Sequence, residues 1–165
     1  MPKGGLEFDG ELSAAGARIA VVVARFNAHI TERLLEGCID ELRSHGAREG
    51  DVTTRQVPGC FELPIVAKAI AAAGQADAII CLGAIIRGET PHFEYVSQAT
   101  AIGIQRAALD TGVPVVFGVL TTDDDAQALA RAGGEAGHKG REAALTAIEM
   151  AQVMRGLRSA PARAM

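Results

Sequence analysis

Tryptophan is missing from this 165-residue chain, and aromatic residues amount to only 4% of it: five Phe and one Tyr. A core without large rings must be filled by Ala, Val, Ile, Leu and Gly, side chains small enough for elements to pack closely within or between subunits. Cysteine is scarce too. Cys38, Cys60 and Cys81 are odd in number, widely spaced and form no CxxC pair. That argues against a disulfide framework or a metal site, and for reduced thiols in the cytoplasm. Positive charge is not in excess: the formal net charge is −4, so no nucleic-acid partner is expected. No apolar run approaches the length of a membrane span, and residues 1–5 lack the apolar stretch of a secretory signal. The expectation is a soluble, cytoplasmic chain with no membrane partner, forming a single domain over residues 1–165.

What the chain does have is an alternation of strand and helix signals. Residues 1–16 are polar and glycine-rich, with one short alternation at 6–8. They read as an arm, or as an edge strand in want of a neighbour. The continuous apolar run at 18–24 marks a central strand buried on both faces. A helix follows with Ile30, Leu34, Leu35, Cys38, Ile39 and Leu42 on one stripe, ended by Gly46. A weak strand at 52–57 is closed by Pro58 and Gly59. The helix at 63–73, closed by Gly74, is apolar nearly all round apart from Lys68, and such a helix is covered on more than one side. Further strands are expected at 78–82 and 113–120. Further helices are expected from the middle junction to about 111, at 123–132 and at 141–155, with a disordered tail from 159. This alternation predicts a parallel sheet with helices on both faces. Ligands of such sheets bind beyond the carboxyl ends of the strands.

Several residues able to carry chemistry fall at that edge. At 81–95 a buried strand passes Gly83, Arg87 and Gly88 and enters a helix, with Thr90 the expected N-cap and Pro91 the first helical residue. Free backbone donors and a hydroxyl at a helix start suit an anion, and His92 places a proton carrier in the same turn. A first-turn histidine with no duty fits the pattern equally. His92 and Glu94 also echo a zinc deaminase, but the Pro-Cys-x-x-Cys half of that site is absent. Phe26, directly after the first strand, is either a platform for a planar heterocycle or a loop residue folded back onto the core. Glu62, just past the Pro58-Gly59 turn, accepts from a sugar hydroxyl or simply complements a helix dipole. Arg131 and Lys139 frame a glycine-rich link: a helix cap and turn, or a flexible cationic clamp for phosphate.

Taken in order, Arg25-Phe26-Asn27, Val57-Pro58-Gly59-Cys60-Phe61-Glu62, and the stretches 83–96, 117–122 and 131–140 resemble the 6,7-dimethyl-8-ribityllumazine synthase family over about 18–154. The resemblance implies a three-layer αβα sandwich on a four-stranded parallel sheet of order 2-1-3-4, a flavodoxin-like topology. It implies a transferase of riboflavin biosynthesis that condenses 5-amino-6-(D-ribitylamino)uracil with 3,4-dihydroxy-2-butanone 4-phosphate. It assigns proton transfer to His92, and the ribitylaminouracil to Phe26, Asn27, Cys60, Glu62, Ile86, Phe117 and Lys139. The phosphate falls to Gly88, Glu89, Thr90 and Arg131. Phe117, Arg131 and Lys139 reach the site from a neighbouring subunit. No cofactor or metal is implied, because no step needs redox or Lewis-acid chemistry. The implied partners are the two small substrates and further copies of the chain, as a homopentamer or an icosahedral shell, with association with riboflavin synthase.

Two positions depart from the family pattern. Cys60 stands where a small residue is more frequent, and His138 where an asparagine is. A flavin- or nucleotide-binding module of flavodoxin type is the main alternative, but Arg25-Phe26-Asn27-Ala28-His29 supplies no Ser/Thr/Gly-rich phosphate loop after the first strand. A catalytically idle shell protein is a second alternative, against which the retention of Phe26, His92, Arg131 and Lys139 weighs. An enzyme that dismutates the lumazine itself is a third.

Overall fold

A computed structural model describes residues 8–162. The apolar run at 18–24 becomes β1 (Ile19–Ala24), every residue of which is buried. Its side chains alternate between two cores, as a strand covered on both faces requires. Val21 and Val23 pack with Ile30, Leu34, Cys38 and Leu42 of α1 (Ala28–Ser44) and with Ala144 and Ile148 of α5 (Lys139–Ser159). Ala20, Val22 and Ala24 face Leu63, Ala67 and Ile70 of α2 (Leu63–Ala72) and Ile104 of α3 (His92–Thr111). The remaining strands are β2 (Val52–Val57), β3 (Ala78–Ile86) and β4 (Val115–Thr122). Their order is β2-β1-β3-β4, with all neighbours parallel. This is the αβα sandwich with the expected order 2-1-3-4.

Several boundaries differ from the sequence reading, each for a tertiary reason. β3 runs four residues past Leu82, because Gly83 through Ile86 continue to pair with Val119 through Thr122. β4 likewise starts at Val115 and ends at Thr122. The N-cap of α3 is Pro91 and its first residue His92, so Thr90, the expected cap, stands one place before the observed one. α4 is shorter than expected (Asp125–Arg131), with Asp124 Oδ1 accepting from the Gln127 N–H at 2.8 Å as its cap. The glycine-rich link is an antiparallel hairpin, β5 (Ala132–Gly134) and β6 (Gly137–His138), whose turn is closed with Gly133 and Gly137 at positive φ. α5 begins at Lys139 and continues to Ser159, so the expected tail starts at the last helical residue.

The arm is not loose where it is described. Ala14 is buried, its N–H donating to the His45 carbonyl at 2.8 Å. Gln152 of α5 accepts from the Ser13 N–H and donates to the Glu11 carbonyl. Most of the alternation at 6–8 and the last three residues of the tail lie outside the described residues. The nearly all-apolar helix α2 is covered by the sheet and by α3, where Pro64 fills the space a Cβ on Gly103 would take. Ile65 on its outer side remains 73% exposed. Among the described residues, no helix is long and apolar enough to cross a membrane.

Candidate active site

The carboxyl edge of the sheet is held together by bonds that outrun the strands. The Arg25 N–H donates to the Val57 carbonyl at 2.8 Å and the Phe26 N–H to that of Pro58 at 3.0 Å. The chain must then turn at once into α1. Asn27 makes the turn at φ 60° and ψ 46°, the one non-glycine residue at positive φ among those described. Asparagine tolerates that region better than most side chains, and here its Nδ2 also donates to the Ala84 carbonyl of β3 at 2.9 Å. The end of β1 is thereby tied to both neighbours, and Phe26 is left 71% exposed. It does not fold back onto the core.

On the β2 side, Pro58 and Gly59 lead into a single 3₁₀ turn, Cys60–Glu62. Glu62 Oε2 accepts from the Gly59 N–H at 3.0 Å, so one carboxylate oxygen holds the turn. Cys60 is buried against β3: a Cβ on Gly83 would stand 2.3 Å from its Sγ. Burial pushes the Cys60 thiol up to about 12, which makes it a neutral packing group and not a nucleophile. Beyond Ile86 the chain is irregular and exposed from Arg87 to Pro91. Its bonds into the first turn include His92 N–H to Thr90 Oγ1 at 3.5 Å and Glu94 N–H to the Pro91 carbonyl at 3.1 Å. The hydroxyl cap expected of Thr90 is thus present only at the limit of a hydrogen bond.

These elements enclose a cleft of about 800 Å³, lined by Phe26, Asn27, Cys60, Glu62, Ile86, Gly88, Thr90 and His92 among the residues singled out in the sequence. Phe61, Phe93, Tyr95 and Val96 line it as well, and sequence reasoning missed them. Composition gives only the scarcity of aromatics, and the fold is needed to show where they gather. No aromatic residue is among the buried side chains, and four of the six in the chain line this one cleft. Such a cleft can hold a planar ring against aromatic faces, with an imidazole, a carboxylate and helix-start donors within its walls.

Four predicted residues are not among those lining it. Glu89 borders a shallow hollow on the loop with Arg87, Pro91 and Glu94. Phe117, Arg131 and Lys139 line a separate groove along β4 and α5, together with Glu142. There Arg131 Nη1 donates to the Gln127 carbonyl at 3.0 Å, capping α4, and Lys139 Nζ donates to Glu142 Oε2 at 2.7 Å.

A family model described as 6,7-dimethyl-8-ribityllumazine synthase matches residues 16–155. The match spans all four strands of the parallel sheet, the cleft and the groove, and the chain therefore belongs to the 6,7-dimethyl-8-ribityllumazine synthase family.

Proposed function

We propose that the chain condenses 5-amino-6-(D-ribitylamino)uracil with 3,4-dihydroxy-2-butanone 4-phosphate, giving 6,7-dimethyl-8-ribityllumazine, phosphate and water, as a cytoplasmic transferase of riboflavin biosynthesis. The observation that carries this reading is the sharing of one cleft by the exposed Phe26 ring and by His92, at the start of α3 beside Gly88 and Thr90. The pyrimidine stacks on Phe26, and Glu62 accepts from ribityl hydroxyls. Backbone groups at Asn27, Cys60 and Ile86 complete that end. The phosphate lies at the amino end of α3, on Thr90 and the backbone of Gly88 and Glu89, where unpaired N–H groups and the helix dipole favour an anion.

The uracil's primary amine attacks the ketone, and loss of water gives an imine. The adjacent hydroxyl-bearing carbon then gives up its proton as phosphate departs with the electron pair of its C–O bond. The enol so formed becomes a ketone, and the second nitrogen closes the ring on that ketone with loss of water. No step changes oxidation state by an external reagent. His92 moves the protons. The substrates supply a reactive amine and a good leaving group, so positioning contributes most, and His92 adds about 10²–10⁴-fold.

The site is completed by a second copy. Phe117, Arg131 and Lys139 lie in the groove, and Phe117 is 44% exposed beside the exposed Ile102 and Leu109, an apolar surface of the kind that subunits cover. A cyclic pentamer brings one subunit's groove to the next subunit's cleft. The short hairpin link between α4 and α5 favours assembly of pentamers into a shell, and a pentamer-sized particle alone by light scattering would reverse that part.

The deciding assay follows lumazine absorbance. Purified protein given both substrates should form the lumazine, and given the lumazine alone should leave it unchanged. No product in the first arm removes the proposal. Consumption in the second identifies the dismutating enzyme instead.

A further inference from the structure

We propose that Arg87 is a positioning residue: its guanidinium clasps the start of α3 to the end of β4 and so fixes the loop that presents Thr90 and His92 to the cleft. The inference rests on the reading of that cleft given above.

The loop needs such a device. Residues 87–91 are all exposed and outside any regular element, and the bond from Thr90 to the first turn is at the limit of length. Arg87 supplies what the loop lacks. Its backbone N–H donates to the Thr122 carbonyl at 2.9 Å, carrying the β3–β4 ladder one residue further. Its Nε donates to Asp123 Oδ1 at 3.0 Å, and its Nη1 donates to Glu94 Oε1. The guanidinium carbon lies 4.3 Å from the centre of the Phe93 ring. Phe93 and Glu94 directly follow His92, so two anchors act on the first turn of α3 and two on the exit of β4. Only a planar fork with several donors can span two carboxylates and stack on a ring at once; a lysine ammonium cannot.

The clasp also has an electrostatic consequence. Glu94 sits in the first turn of α3, at the helix end where a phosphate would bind, and an unpaired carboxylate there would repel it. The hydrogen bond from Arg87 holds the Glu94 carboxyl below the usual carboxylate range, and the guanidinium cancels the charge it keeps. Arg87 and Glu94 side chains are each 45% exposed. Pairs that open to water add little to global stability, so the clasp acts on local geometry. Misplacing a reacting group by roughly 1 Å costs on the order of 10²-fold in rate.

The test is steady-state kinetics with each substrate varied in turn, alongside thermal melting. Arg87→Ala should lower kcat about 10–10²-fold and raise KM for the phosphate-bearing ketone. KM for the pyrimidine, held at the other end of the cleft, should not move, and the melting temperature should stay close to wild type. Arg87→Lys should not restore the rate. Glu94→Ala opens the same clasp on an exposed residue while also removing the repelling charge, so it should lower kcat without raising KM for the ketone phosphate. It serves too if Arg87→Ala does not fold. Wild-type kcat in either alanine variant overturns the inference, as does a parallel rise in both KM values with a collapsed melt. A wild-type protein that makes no lumazine removes the proposed function and this inference with it. Full activity in Arg87→Ala removes this inference alone.

Discussion

The cleft at the strand ends and the groove along β4 are lined by different chemistry. The cleft is lined by an imidazole, a carboxylate and four aromatic rings, but by no lysine or arginine. The groove is lined by Arg131, Lys139 and Phe117, but by no histidine. A doubly charged phosphate in the cleft would meet helix-start donors without a full cation, and a substrate in the groove would meet cations without a proton carrier. Under the proposed function each hollow is half of a site, and a head-to-tail interface in a closed ring would join one half to the other at every subunit boundary.

The sharpest way to break this comparison is complementation. His92→Ala should lower kcat about 10²–10⁴-fold, and Arg131→Ala, which removes a charged donor from developing phosphate charge, about 10²–10³-fold. Unfolding the two inactive variants together and refolding them as mixed rings should then restore about a quarter of wild-type activity, since half the clefts and half the grooves are intact and pair at random. If both halves served one chain, mixing would give only the mean of two inactive proteins.

The two regions also differ in how their scaffolds are held, and glycine substitutions expose the difference. Beside the groove, α5 crosses α1 so closely that a Cβ on Gly140 would stand 2.1 Å from the Leu34 carbonyl oxygen. Alanine gains about 1 kcal/mol over glycine in a helix. That gain is outweighed here, because a backbone atom in the middle of α1 cannot turn aside. Gly140→Ala should cost roughly 3 kcal/mol or more, at the upper end of overpacking. Under the cleft, Gly83→Ala meets a side-chain sulfur, Cys60 Sγ, and should cost roughly 1–3 kcal/mol. Adding Cys60→Ala should relieve much of the second loss and none of the first. Chemical denaturation of the four variants measures both, and equal costs would dissolve the distinction.

That contrast also shows why the sequence was legible in some places and not in others. β1 and α1 could be read because the apolar run at 18–24 and the stripe from Ile30 to Leu42 are local patterns with local causes. β3 was cut short at Leu82 because a glycine in a strand reads as an ending. Gly83 is there to admit the Cys60 sulfur, a partner more than twenty positions away in the chain. The hairpin at β5 and β6 escaped notice because strands this short carry no periodicity. The same holds for the site. Phe26 and His92 stand next to strand and helix boundaries and could be picked out singly. Phe61, Phe93 and Tyr95 became meaningful only once the fold had gathered them into one wall.

The smallest expected effect concerns His138, which links the groove to α1. It precedes Lys139 at the start of α5, and its ring occupies the space beside Gly37, where a Cβ would come within 2.2 Å of Cε1 and Nε2. Its Nδ1 is buried without a hydrogen-bond partner. Burial first, and Arg141 second, hold the imidazole below its ordinary value, against weaker opposing pulls from the backbone and from Glu36. The sign follows from proton counting. Well above about pH 6.5 the ring is neutral whether the chain is folded or not, and the packing is fully favourable. As the pH falls below that value the unfolded chain takes up a proton that the folded one resists, so stability is lost until the folded-state value is reached. The melting temperature should therefore drop more steeply between about pH 7 and pH 5 in the wild type than in His138→Asn, which has no group to titrate there. The loss falls on the end of the hairpin and the start of α5, which carries Lys139, and not on the cleft, so binding of the pyrimidine alone should show no such difference between the two proteins. Parallel melting curves across that range would detach His138 from the groove's stability and leave the contact with Gly37 a matter of shape alone.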